Sequence, residues 1–184
     1  MQNIFIKKNK GLAPHQKQQT VFGAGFTLLE LLIYVAIFAV ITVLLANIFI
    51  ALSKSNGQSN AKSEVDSAIR FSNQLLSQDL KNASAVSVPS SGSSNSLTLT
   101  RADTTIIYDI SSGALRRKEG SADPVSLTNT NIVVGTPTFT RIENTNAVFN
   151  TTNVSIKINM TFSYNSSSPD WSYSASLQNT FNLY

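Results

Sequence analysis

Gly23 to Lys54 reads GAGFTLLELLIYVAIFAVITVLLANIFIALSK, an almost continuous apolar run with one carboxylate, Glu30, near its start. From Leu31 to Ser53 no residue is charged, and only Thr42, Asn47 and Ser53 are polar. As a helix rising 1.5 Å per residue, this run is long enough to cross a bilayer core, which takes about 20 residues. A cleaved secretory signal has an apolar core of only about 7–15 residues ending at a small-residue site. The stretch therefore reads as a retained transmembrane helix over residues 26–52. That reading leaves Glu30 unexplained. A carboxylate at the centre of a membrane helix costs on the order of 2.5–3.5 kcal/mol, and such residues usually mark function.

Residues 1–25, on the N-terminal side, form a polar, basic preface. Lys7, Lys8, Lys10 and Lys17 lie there with no acid among them. The chain has 14 Lys/Arg against 10 Asp/Glu, a net +4, so the whole basic excess belongs to this preface and the rest is neutral. Cations on one flank of a membrane helix keep that flank in the cytoplasm, which places the C-terminal body outside. Without a cationic patch the body is not expected to bind nucleic acid directly. Its only basic run, Arg116-Arg117-Lys118, reads as a solvated hairpin face.

The chain has no cysteine, and its one histidine, His15, lies in the preface. The body thus lacks the residues for a Ser–His–Asp or Cys–His arrangement and for a histidine-based metal site. Asp103, Asp109, Asp123 and Asp170 have no calcium-loop spacing. No enzymatic activity, cofactor or metal is expected.

On the C-terminal side, Val65, Ala68, Ile69, Leu75, Leu76, Leu80 and Ala83 recur at steps of three and four, the period of an amphipathic helix. This predicts a second, amphipathic half of the helix over residues 53–87, with Gly57 as the place for a bend. Pro89 to Ser96 is a loop by composition. The period then becomes two. Thr105–Ile110 and Ala114–Glu119 read as a hairpin about Ser111-Ser112-Gly113. Ile132–Val134 and Thr138–Ile142 read as shorter strands. Val154 to Tyr164 and Tyr173 to Leu183 alternate apolar and polar residues. A sheet with one apolar face and a helix with one apolar stripe cover each other. The expectation for residues 88–184 is an antiparallel β domain, and for the whole an α+β fold.

At the start of the helix, Gly25-Phe26-Thr27-Leu28-Leu29-Glu30 suggests chemistry. A cut after Gly25 gives Phe26 a new α-amino group, positive at neutral pH. Glu30 is four residues on, in the first turn, where the helix dipole favours an anion. The amine can pair with Glu30 of its own chain or of a neighbour, and a paired carboxylate fixes register in an apolar bundle.

This motif, with a basic preface before it and a long apolar run after it, resembles the signal of type IV prepilins and type II secretion pseudopilins. The motif spans only a dozen or so residues but is highly specific. The body more weakly resembles the J-type minor pseudopilins and related type IV minor pilins, through Val65–Val86, the Thr105–Arg117 hairpin and Val125–Arg141. The resemblance implies cleavage after Gly25 by a membrane prepilin peptidase, which also N-methylates Phe26. It implies that Glu30 pairs with the N-terminal amine of an adjacent subunit. The implied partners are the inner membrane, its assembly platform and other major and minor pilins or pseudopilins; the implied end state is a pseudopilus or pilus. Many major pilins carry a helix-kinking proline about twenty residues into the mature chain, and many type IV pilins a C-terminal disulfide. This sequence has neither, which favours a minor subunit. The expected role is a minor pseudopilin that helps initiate or cap the secretion pseudopilus. The alternatives are a type IV minor pilin for adhesion, motility or DNA uptake, and a signal-anchored binding domain that never polymerises.

Overall fold

The computed structural model describes residues 25–148 and 150–183. The predicted leader, apart from Gly25, lies outside the described residues. The chain divides into two compact units, one ending at Leu45 and one running from Ala46 to Tyr184. A long helix, α1 (Leu28–Lys81), begins in the first and ends in the second.

In the first unit every described side chain from Gly25 to Leu45 is exposed except that of Glu30, which is half-buried. Apolar residues point all round the helix, so no side faces a core of its own. Thr42 disposes of its hydroxyl locally, donating to the Phe38 carbonyl at 2.8 Å, the usual recourse of a threonine in an apolar helix. Over the described residues α1 is the one helix long and apolar enough to cross a membrane.

In the second unit α1 becomes one-sided. Ala61, Val65, Ser72, Leu76, Asp79 and Leu80 are buried, on the face that the three-and-four spacing predicts. Two of the six are polar, which apolar periodicity could not reveal. The helix ends at Lys81, short of the expected residue 87, and Ala85–Val88 form strand β1 instead. Asn82 and Ser84 favour caps and turns over helix interior, the valines favour strand, and Pro89 disfavours the α region at Val88.

Nine more strands follow: β2 (Ser93–Ser94), β3 (Leu97–Arg101), β4 (Thr104–Ser111), β5 (Ala114–Glu119), β6 (Val125–Ser126), β7 (Ile132–Val134), β8 (Thr138–Asn146), β9 (Thr151–Tyr164) and β10 (Ser174–Asn182). All pairings are antiparallel, and they build two sheets rather than one. The first has the order β1-β3-β4-β5-β6 and the second β10-β9-β8-β2, with β7 also on β9. The Pro89–Gly92 loop carries the chain from the first sheet to the second. Gly135 and Pro137 split what would otherwise be one long partner of β9 into β7 and β8. The β4–β5 hairpin turns on Ser112 and Gly113 at φ 52° and 76°, the paired positive angles of a tight two-residue turn.

The predicted alternation of β9 is observed: Ile156, Ile158, Met160 and Phe162 are buried while Lys157, Asn159 and Thr161 are exposed. They join Leu97, Leu99, Ile106, Tyr108, Leu115 and Phe139 and the helical Val65, Leu76 and Leu80 in a single core. Burying each such side chain contributes about 1.5–3 kcal/mol.

Gly57 does not interrupt α1, which runs through it as continuous helix. A Cβ built there would lie 2.3 Å from the Trp171 indole, so the missing side chain is the seat on which that ring packs. Lys54 pairs with Asp170 at 3.2 Å beside it. Farther along, Asn179 of β10 donates to Asn73 at 2.9 Å. The two contacts follow the same order along both elements, so β10 runs in the same direction as α1. Gly57→Leu improves local helix propensity but removes the seat. The emission of Trp171, the one tryptophan of the chain, should shift to the red and acrylamide quenching should increase; unchanged emission would contradict the packing.

Candidate functional site

The residues of the sequence motif lie at the N-terminus of α1. Leu28 is its first helical residue, and Gly25, Phe26 and Thr27 precede it without regular structure. Thr27 is the cap: its hydroxyl accepts from the Glu30 amide at 3.2 Å, and its carbonyl accepts the first helical bond from Leu31 at 3.1 Å. Thr-x-x-Glu is the spacing of a capping box, so Thr27 sets where the helix starts and Glu30 falls in its first turn for a structural reason. The Gly25–Phe26 peptide bond lies just outside the cap. Gly25 is exposed, and a Cβ there would meet nothing within 4 Å.

The Glu30 carboxylate has one partner among the described residues. Tyr34, one turn on, donates its hydroxyl to Oε1 at 3.1 Å. The Tyr34 ring in turn meets Phe26 edge to face, with centroids 6.0 Å apart, a favourable aromatic geometry. Phe26, Glu30 and Tyr34 thus form one cluster, in which Tyr34 orients the acid and Oε2 remains for a further donor. The sequence reading singled out Gly25, Phe26 and Glu30 but missed Thr27 and Tyr34. The signal was present in both cases, as a capping spacing and an i,i+4 spacing.

The largest polar cluster is elsewhere and was not anticipated. The Asp79 carboxylate is 2% exposed, between α1 and the first sheet. Its Oδ2 accepts from Arg117 Nε at 2.7 Å and from the Tyr108 hydroxyl; its Oδ1 accepts from Arg117 Nη2 at 3.2 Å and Arg101 Nη1 at 3.5 Å. Glu119 closes the group, accepting from Arg117 Nη1 at 2.7 Å and from Arg101. Two guanidinium groups and two carboxylates from α1, β3 and β5, with the β4 phenol, balance their charge. The Asp79 lone pairs are spent on internal donors, so the cluster acts as a latch between helix and sheet.

The predicted solvated face is therefore corrected at Arg117. Arg117 is turned inward, and Arg116 grips Asp109 through two bonds of 2.9 and 2.7 Å. Arg117 had a buried acid to meet, because its place on β5 faces the helix. The hydrogen bonds to Asp79 and Glu119 raise the already high pKa of its guanidinium against the opposing effect of burial. Of the acids weighed for calcium, Asp109 and Asp170 are ion-paired, while Asp103 and Asp123 are exposed in loops. Among the described residues no three acidic, histidine or cysteine side chains converge as a metal site. Asn47, weighed as a helix–helix contact or as tolerated near the outer interface, is exposed on α1.

No family model, no curated protein and no solved structure matches the chain.

Two effects of the latch are measurable by urea unfolding of the chain in detergent. Asp79→Ala leaves Arg117 with Glu119 alone and the Tyr108 hydroxyl without its acceptor, and should cost about 1–3 kcal/mol; a loss below about 1 kcal/mol would show that the latch carries little. Tyr108 is held above the usual tyrosine range, first by burial and then by its bond to Asp79. The folded state keeps a proton that the unfolded chain releases above about pH 10. This contribution is complete below that pH and is lost as pH rises toward the folded-state value. Tyr108→Phe should therefore lose less stability than the parent between pH 9 and about 11; equal losses would exclude Tyr108 as the source.

Proposed function

We propose that this chain is a minor pseudopilin, a structural and non-enzymatic subunit that helps initiate or cap a type II secretion pseudopilus. In this reading the peptidase cuts after Gly25 and methylates Phe26. The apolar run holds the processed chain in the inner membrane, N-terminus in the cytoplasm and β domain outside. The assembly platform then delivers it to other pseudopilins, and Glu30 receives the N-terminal amine of a neighbour.

The observation that carries the reading is the geometry at the helix start. The Gly25–Phe26 bond is exposed and precedes the cap, in backbone that a protease can accept without unwinding a helix. Glu30, four residues later, holds one oxygen on Tyr34 and leaves the other for a cation. An exposed, uniformly apolar stretch of α1 follows, and such a surface has to be covered by lipid or by other helices. N-methylation adds apolar surface to Phe26 and keeps its charge, so the pairing survives the modification. The pilin-like layout of a long helix against antiparallel sheets is consistent with the same reading.

Mass spectrometry of the chain from cells containing a prepilin peptidase should find an N-terminus at Phe26 bearing one methyl group. A mature chain that begins before Gly25 would sink the processing claim. Glu30→Ala should still be cut but should no longer co-purify with the other pseudopilins; normal recruitment would show that Glu30 has no part in assembly.

A further inference from the structure

The turn between β9 and β10 is built in a way that packing alone does not require. Ser166 Oγ donates to the Ser168 carbonyl at 3.1 Å and accepts from the Ser168 amide at 3.0 Å. The Trp171 amide donates to the Ser168 carbonyl at 3.2 Å, and Ser172 Oγ to the Pro169 carbonyl at 2.9 Å. These bonds hold a short 3-10 turn, Pro169–Trp171, against α1 at Lys54 and Gly57. Trp171 nevertheless remains 41% exposed. A large ring with one side on a glycine and the other open is an unfinished contact. The only strong charge in the turn, Asp170, is matched by Lys54.

The level of this turn along α1 identifies its surroundings. The uncharged apolar run ends at Leu52, and Lys54 is the first charge after it. Lys54 lies about 3 Å and Gly57 about 7–8 Å beyond Leu52 along the helix axis. A lipid headgroup layer is about 5–7 Å thick on each side of the hydrocarbon core. If Leu52 marks the edge of the hydrocarbon, Asp170 on Lys54 falls within the headgroup layer and Trp171 on Gly57 at its outer boundary, within reach of it by the length of the ring. The next tie to the helix, Glu64 to Asn131 at 3.1 Å, is about 18 Å beyond Leu52 and clear of the membrane. Tryptophan is favoured at the membrane–water interface, where its amphipathic ring sits at the headgroup level and its N–H stays wet. Tyr164 and Tyr173, at the adjoining ends of β9 and β10, are half-buried and pack against the core.

We propose that the Ser166–Tyr173 turn is a lipid-binding foot. Trp171 inserts into the headgroup layer of the bilayer that α1 crosses, and Lys54 sits at the level of the lipid phosphates. The partner is the phospholipid surface itself. The foot rests on the membrane anchoring proposed above and goes beyond it, because an anchor by itself leaves the β domain free to stand off the bilayer.

The full chain, reconstituted in phosphatidylethanolamine–phosphatidylglycerol vesicles, tests this with nitroxide-labelled lipids. The sole tryptophan reports the foot. A bimane on Ala39→Cys, unique in a chain without cysteine, reports the anchor. Trp171 should be quenched at least twofold more by a label at the headgroup than by one deep in the acyl chains, and Ala39→Cys in the opposite order. Deep quenching of Ala39→Cys together with a Trp171 open to aqueous iodide and blind to both lipid labels would overturn the foot and keep the anchor. Loss of lipid quenching at both sites would overturn the anchor and the foot with it.

Discussion

The face of α1 that bears Ala61, Val65, Leu76 and Leu80 has to be kept from water, and most of the β structure can be traced to that need. The three large apolar side chains among them, Val65, Leu76 and Leu80, contribute on the order of 5–9 kcal/mol if fully covered. A sheet strand covers a helix stripe only where its own apolar positions face inward, which the period of two supplies in β9 and β10. The Pro89–Gly92 loop takes the chain off the first sheet after β1, so that β2 pairs in the second. The chain therefore uses two sheets on one core, with β10 running in the same direction as the helix.

Apolar contact alone would leave the helix free to slide. The polar ties remove that freedom. Asp79 reaches across to Arg117, Arg101 and Tyr108, Asn73 to Asn179, and Glu64 to Asn129 and Asn131. Desolvating such groups offsets much of what their pairing contributes, so a buried ion cluster adds little net stability over a well-packed apolar one. What it does supply is discrimination. A shift of the helix by one turn would strand Asp79 away from both guanidinium groups. This is the same logic as at the N-terminus, where an acid in an apolar setting is tolerable in only one alignment. Here the partner is inside the chain; there it is proposed to come from another.

Much of this architecture was legible in the residues. The apolar run, the stripe from Val65 to Leu80, the β4–β5 hairpin and the alternation of β9 all follow from simple periods, because each concerns neighbours along one element. What escaped depends on which elements meet. Asp79 sits on the apolar face in the sequence pattern and looks like a fault until β4 and β5 are folded beside it. Gly57 looks like a weakness in a helix until Trp171, far along the chain, is placed on it. The strand at Ala85–Val88 was hidden because Val86 also continues the helical spacing. At the candidate site the balance was better, since Gly25, Phe26, Thr27, Glu30 and Tyr34 are local to one another.

The tie between Asn73 and Asn179 spans 106 residues, and β10 is the last strand of the described chain. A polypeptide that emerges N-terminus first presents its amphipathic stripe long before the strand that completes the cover. Closure of such a distant contact is slow compared with local helix formation. Until β10 arrives, the striped half of α1 is an exposed apolar surface on an unfinished domain, the kind of species that aggregates or engages chaperones. The fold thus has a built-in order of events: the helix first, the sheets next, and the seal on both only when β10 has been released.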